Sequence, residues 1–315
     1  MTTWSELSAG ARGAVLVALT GLVCLALEPF APWLTAWPAT LTLPISDWIG
    51  SGLSAVLGVF KPVARGFSAV IGVPMGWATA LLQIIPWPLF ISGVVALGWY
   101  LGGWRMALFS FLGLMFVFAS GYWAEAMNTL ALVFVSVPLA VVMGLAIGIA
   151  AHEVPRIKAA VGAVLDVMQT IPSLSYLVPA VAFFGISQPP AVLATVIFAM
   201  PPMIKLTALG ILQVPESTKE AALAFGASER QLLRKVELPM SIPSIMAGLN
   251  QTIMLALSMA TISAFIGAEG LGAIVTSALG DANAGKGLLA GVAIALVAMM
   301  IDRILKGIRN SFSRI

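Results

Sequence analysis

The 315-residue chain is 60% hydrophobic and 9% charged, with 16 basic and 13 acidic residues and a mean hydropathy of +1.03. Soluble domains carry roughly 25% charged residues, so these charges cannot clothe a water-facing surface, and lipid must solvate most of the chain. A single cysteine (Cys24) excludes a disulfide framework, a single histidine (His152) excludes a multi-histidine metal centre, and a net charge of +3 dispersed between apolar runs argues against nucleic-acid binding.

No Asp, Glu, Lys or Arg interrupts residues 66–104, 167–204 or 238–268, and each run exceeds the ~20 residues needed to cross the hydrocarbon core. Eight spanning helices are predicted, at 12–27, 86–103, 105–121, 128–151, 169–185, 191–212, 240–262 and 287–305. The first resembles a secretory signal in having a basic residue before an apolar run. It lacks an A-x-A cleavage site, so an uncleaved helix is expected. Between it and the second span, residues 44–82 mix Trp48, Val56, Phe60, Phe67 and Val70 with Asp47, Lys61 and Arg65. Apolar residues at three- and four-residue steps predict an amphipathic helix in the outer interface, interrupted by Pro62 and Pro74; a loop with one buried helix is the alternative. Three regions are expected: 1–83 with the first helix and the interfacial segment, 84–123 with two peripheral helices, and 124–315 as a core.

Orientation follows the basic residues. Twelve of the 16 fall on one side: Arg12, Arg105, Arg156, Lys158, Lys219, Arg230, Arg234, Lys235, Arg303, Lys306, Arg309 and Arg314. Lys61, Arg65 and Lys286 fall on the other. Both termini are therefore expected in the cytoplasm.

Residues 213–239, QVPESTKEAALAFGASERQLLRKVELP, stand apart because they place eight charges between two long apolar spans. They read as two short helices. Ser217 with Glu220 fits a capping box, Gly226 fits the left-handed residue after a helix, and Ser228 with Gln231 fits a second capping box. The first helix is only about two turns, a length that is marginal in isolation, so a docking surface on another subunit is expected. Gly210, outside this segment, reads as an unremarked helix glycine.

Glu220, Ala221 and Ala222, then Gly226, then Val236, Leu238 and Pro239 resemble the EAA motif of ABC-importer permeases, with Val236 where the family has Ile. The flanking runs Met168–Pro172, Tyr176–Pro179, Phe184–Ile186, 211–215, 247–252 and Gly270–Gly272 resemble the glycine betaine/proline betaine (quaternary-amine) importers. The resemblance implies an all-α polytopic protein of about eight transmembrane helices with a type I importer core. It also implies a multi-pass location in the bacterial inner membrane and no catalytic, metal-binding or cofactor-binding residues in the chain itself.

By the same resemblance, ATP and Mg would be bound by a cytoplasmic ABC ATPase present in two copies, with the 213–239 loop as its coupling helix. The absence of a GxxxxGK[ST] run agrees with that division. A periplasmic or membrane-anchored substrate-binding protein would deliver the solute, and a second copy of the permease would complete the pathway. Glycine betaine, proline betaine, choline, carnitine and trimethylamine N-oxide are the implied solutes. An amino-acid (methionine-type) importer is the alternative, and a stand-alone channel or membrane enzyme the more distant one.

Lys205 is the one basic residue inside a predicted span, and such charges mark function by default. Three readings are open: it snorkels to the cytoplasmic face, it pairs with Asp166 or Asp302, or it contacts the substrate, for which a cation would be a strange lining if the cargo is a quaternary amine. Tyr176, Asn250, Thr252 and Ser258 are candidates for the translocation path. Tyr176, Phe183 and Phe184 could instead hold a methylated ammonium through cation–π contact or simply pack. Asn250 and Thr252 equally suit hydrogen bonding between helices. The prolines at 138, 172, 179 and 201–202 are expected to break or kink helices, and His152 to be a solvated loop residue.

Overall fold

The computed structural model describes residues 8–31 and 43–312; Arg314, counted above for orientation, lies outside them, as do the side chains of Lys61, Arg65 and Arg309. The chain divides into an N-terminal unit, residues 1–58, and a larger unit, residues 59–315. In the first, helix α1 spans Ala9–Leu27 and is capped by Ser8, whose hydroxyl accepts from the Ala11 N–H at 3.3 Å. Its Leu16, Val17, Leu22 and Leu25 face outward, as a helix in lipid requires.

Helix α2 runs Ile45–Ile84 without a break, so Pro62 and Pro74 lie inside it rather than ending it. Helix α3, Trp87–Ala119, folds back on itself at Gly103, whose φ of +72° only glycine adopts freely. The return is tight: the Trp87 and Phe118 rings stack at 4.4 Å between centroids. Residues 87–102 and 104–119 are therefore two antiparallel helices, as the sequence predicts for 86–103 and 105–121.

The centre of the larger unit is built from α4 (Trp123–Glu153), α7 (Gln188–Ala199), α8 (Pro201–Leu212) and α11 (Leu238–Ile262). Without a hydrophobic force between helices in lipid, close approach at small residues holds them. A Cβ on Gly144 would meet Met203 at 2.6 Å and one on Gly148 would meet Thr207 at 2.8 Å, so α4 and α7–α8 run parallel. Gly210 faces Ser241 and Ser244 while Gly248 faces Leu206, so α11 runs back along α8. Gly210, unremarked in the sequence, is a point of closest approach. Pro138 lies inside an uninterrupted α4, whereas Pro201 and Pro202 occupy the first turn of α8, where their missing N–H groups cost nothing.

The expected span at 169–185 is not one helix. Helix α5 (Pro155–Thr170) ends before Pro172, a short 3-10 turn covers Ser173–Tyr176, and α6 (Leu177–Phe184) leaves at a bend of 115°. The residue before proline is steered out of the helical region, and Ile171 is accordingly extended (φ −68°, ψ 129°). After α11 comes a helix that the sequence did not reveal, α12 (Leu271–Gly280), before α13 (Ala284–Phe312). At ten residues α12 is too short to span.

Among the described residues, seven helices are long and apolar enough to cross a membrane, or eight with the bent α5–α6 pair. Gly66–Ile84 of α2 is one of the seven, yet its contacts place it otherwise. The Phe67 ring lies 5.6 Å from that of Phe184, and Gln83 donates to Asn128 at 3.0 Å. The parallel register of α4 with α7–α8 puts Asn128 and the 184–187 turn at the same end of the bundle. This stretch therefore lies across that end. With that stretch set aside and α3 divided at Gly103, the apolar helices overlap seven of the eight predicted spans, and the bent α5–α6 pair stands in place of the eighth, 169–185.

Candidate functional site

The charged loop folds as α9 (Glu216–Ala224), α10 (Glu229–Leu232) and a π-helical turn (Leu233–Glu237) that leads directly into α11. Helix α9 starts earlier than the Ser217–Glu220 capping box requires. Pro215, with φ −58° and ψ 133°, takes the N-cap position and no side chain caps the helix. Proline's fixed φ starts the helix, so Ser217 and Glu220 both lie within it. At its other end, the Gly226 N–H donates to the Leu223 carbonyl at 2.9 Å and the Ala227 N–H to the Ala222 carbonyl at 3.1 Å. That pair of bonds is a Schellman motif, and it needs the left-handed Gly226, whose φ is +82°. The second capping box is present: the Ser228 N–H donates to Gln231 Oε1 at 2.9 Å while the Ser228 hydroxyl caps the backbone in return.

Burial divides this loop into faces. Glu220, Ala221 and Gly226 are exposed, Ala222 and Leu238 are half-buried, and Pro239 is exposed. Phe225, between α9 and Gly226, is 94% exposed. It is the most exposed large apolar side chain among the described residues, and it sits at the turn that closes α9. The sequence reading passed over it because hydropathy averages dilute one aromatic among charges. It also passed over Glu237, which is buried at 6% exposure and held by Lys219 Nζ at 3.2 Å, with His152 Nε2 at 4.0 Å. His152 is thus half-buried in the last turn of α4 and not a solvated loop residue; α4 simply runs further than predicted.

The other candidates are scattered. Lys205 Nζ lies 3.5 Å from Asp166 Oδ1 and donates to Gln169 Oε1 at 2.8 Å, joining α8 to the end of α5. Asp302 is not its partner: that carboxylate accepts from Lys306 at 2.6 Å, one turn on along α13, and faces Asn250. Tyr176 spends its hydroxyl on the Met168 carbonyl, and its ring packs edge-on against Phe198 at 5.6 Å. Phe183 and Phe184 pack on each other and Phe184 on Phe67, so these aromatics form no cage for a cation. Thr252 is fully buried and lines no open path in this conformation, whereas Ser258 is exposed and donates to the Met254 carbonyl at 3.1 Å. Among the described residues no cluster of His, Cys, Asp and Glu could hold a metal.

Residues 136–314 match the family model described as binding-protein-dependent transport system inner membrane component. The chain is 39% identical over 298 residues to the Escherichia coli glycine betaine/proline betaine transport system permease protein ProW, covering 90% of this chain and 84% of that one. It is 43% identical over 264 residues to the Bacillus subtilis glycine betaine transport system permease protein OpuAB, covering 84% and 91%. A solved structure of the MetNI methionine ABC transporter superposes with a TM-score of 0.55 at 24% identity, over 59% of this chain and 93% of that one. At that identity the likeness is one of fold, the type I importer permease fold. The chain is a multi-pass inner-membrane protein and belongs to the family of inner-membrane components of binding-protein-dependent transport systems.

Proposed function

We propose that this permease carries glycine betaine and related methylated amines into the cell, driven by a separate ATPase that docks on α9, Gly226 and α10. The observation that carries the docking reading is the loop itself: a capped, charged helix–turn–helix between two apolar helices, with Phe225 bare at its tip. The substrate reading rests on the two glycine betaine permeases to which the chain is similar. The likeness to a methionine transporter is confined to the fold and lends the amino-acid alternative no support of its own.

In this reading both termini and the loop face the cytoplasm, as the bias of Lys and Arg directs, and the Gly66–Ile84 stretch lies in the outer interface. ATP and Mg bind to two ATPase copies, not to this chain. A binding protein docks at the outer end, and a second copy of the permease supplies the other wall of the pathway. The self-contact runs along α5, the Ser173–Tyr176 turn and α6, which expose Val164, Val167, Leu174 and Val178. Lys205 and Asp166 hold the bent pair against α8 inside that wall. Ser258 lines the path, with Tyr176, Asn250 and Thr252 exposed to it only in the other state. ATP shifts the permease between inward- and outward-open states by binding one of them better.

The experiment is co-expression with a cognate ATPase and binding protein, followed by ATP-dependent uptake of radiolabelled glycine betaine into proteoliposomes. Uptake of methionine in place of glycine betaine would reverse the substrate assignment, and assembly without the 213–239 loop would reverse the docking assignment.

A further inference from the structure

The coupling helix has an inward face as well as an outward one. No residue of α9 is fully buried, so packing alone holds it weakly to the bundle. Its charged attachment is Lys219, only 13% exposed, which reaches Glu237 at 3.2 Å and Glu216 of its own helix at 3.9 Å. Glu237 is the last residue of the π-helical turn and the residue immediately before α11. The same carboxylate oxygen that meets Lys219 lies 4.0 Å from His152 Nε2 in the last turn of α4, and the Glu237 backbone carbonyl accepts from the Ser241 hydroxyl at 2.6 Å. One buried carboxylate therefore touches the coupling helix, the start of α11 and the end of α4. α4 and α11 both grip α8, through Gly148 and Gly248 respectively.

We infer that Glu237 is the positioning residue through which displacement of α9 reaches the transmembrane core, with Lys219 as the link to α9 and His152 as the link to α4. The inference rests on the proposed docking of an ATPase at α9. A buried carboxylate is retained only when its partners stay in place, because an uncompensated charge in a desolvated site is strongly disfavoured. Lys219 and Glu237 must therefore move together. A π turn is a place where a helix readily changes its winding, and such turns concentrate at functional sites. Here the turn sits between the helix that is pushed and the helix that must respond. A lysine beside Glu220 on a two-turn helix thus faces the bundle, while the residues of the outward face meet the ATPase.

The test uses the full complex of permease, ATPase and binding protein in proteoliposomes, with Glu237→Ala, Glu237→Gln, Lys219→Ala and the exchange Lys219→Glu with Glu237→Lys. Three quantities are read for each: permease-to-ATPase ratio after co-purification, ATP hydrolysis with and without glycine betaine-loaded binding protein, and glycine betaine uptake per permease. Glu237→Ala and Lys219→Ala should keep the subunit ratio and ATP hydrolysis but lower uptake per ATP hydrolysed by roughly 5- to 150-fold, the usual size of a coupling between sites. Glu237→Gln, which still offers an oxygen to Lys219, should be milder, and the exchange should recover part of the loss.

If uptake and hydrolysis fall in parallel with the amount of assembled complex, Glu237 is only a structural support and the inference fails. Unchanged uptake per ATP in Glu237→Ala defeats it equally. Failure of the wild-type permease to co-purify with the ATPase would instead defeat the docking reading on which it rests.

Discussion

Replacing Gly226 with valine perturbs one backbone angle and nothing else. Residue 226 has a φ of +82°, and a Cβ built there meets no atom within 4 Å, so the cost carries no clash component. For an L-residue the left-handed region costs about 1–2 kcal/mol, with β-branched valine at the upper end. That is a factor of roughly 5 to 30 in an equilibrium.

In the isolated permease the loop can relax by giving up the bonds from Gly226 N–H to Leu223 and from Ala227 N–H to Ala222. The docked form must restore them, so the strain appears as weaker ATPase binding. Insertion depends on hydropathy elsewhere and stays unchanged. Gly226→Ala should fall between valine and the wild type, and Gly226→Asn should lie closest to glycine because asparagine tolerates this conformation. The assay is ATPase co-purification at graded concentrations, with glycine betaine uptake per inserted permease alongside. Wild-type affinity in Gly226→Val, or a loss in Gly226→Asn equal to that in valine, would refute the reasoning.

Three further outcomes are expected. Phe225→Ala should leave the thermal unfolding of the detergent-solubilised permease within about 0.5 kcal/mol of wild type, since the side chain is 94% exposed. It should weaken ATPase capture by at least 2 kcal/mol, about 30-fold, if the ring anchors the interface. Gly210→Ala lies outside the motif but places a Cβ 2.8 Å from that of Ser244; prying α8 from α11 should cost about 1–3 kcal/mol, visible as a lower unfolding temperature. In a Cys24→Ser background, Ser228→Cys should resist impermeant maleimide added to intact cells and react in inverted vesicles, and labelling from outside would reverse the proposed orientation.

The charged 213–239 loop was legible in the sequence because its signals are local. The Ser228–Gln231 box, the glycine after a two-turn helix and the charges between apolar runs each act within a few residues, and each took its predicted form. The Ser217–Glu220 box did not, since Pro215 offered a competing start two residues earlier. Phe225, Lys219 and Glu237 escaped because their meaning lies in exposure or in partners far along the chain. Lys219 and Glu237 are 18 positions apart, and His152 lies a further 85 positions from Glu237, separations at which periodicity says nothing.

The apolar runs and their length by themselves determined that this is a membrane protein and roughly where its apolar helices fall, because every backbone polar group in lipid must be satisfied within a helix. The tertiary structure decided how those helices are used. Gly103 turns one continuous helical stretch into a hairpin, Pro172 breaks another at 115°, and Gly66–Ile84, apolar enough to cross, is held across one end by Phe184 and Asn128. Hydropathy measures the transfer of a segment into lipid and is blind to which neighbour a helix meets. Gly210 reads in sequence as an ordinary helix glycine, yet it permits the contact between α8 and α11, whereas Gly226, expected to end a helix, sets a turn in open space. The difference is whether another backbone lies within van der Waals reach, which only the packed chain determines.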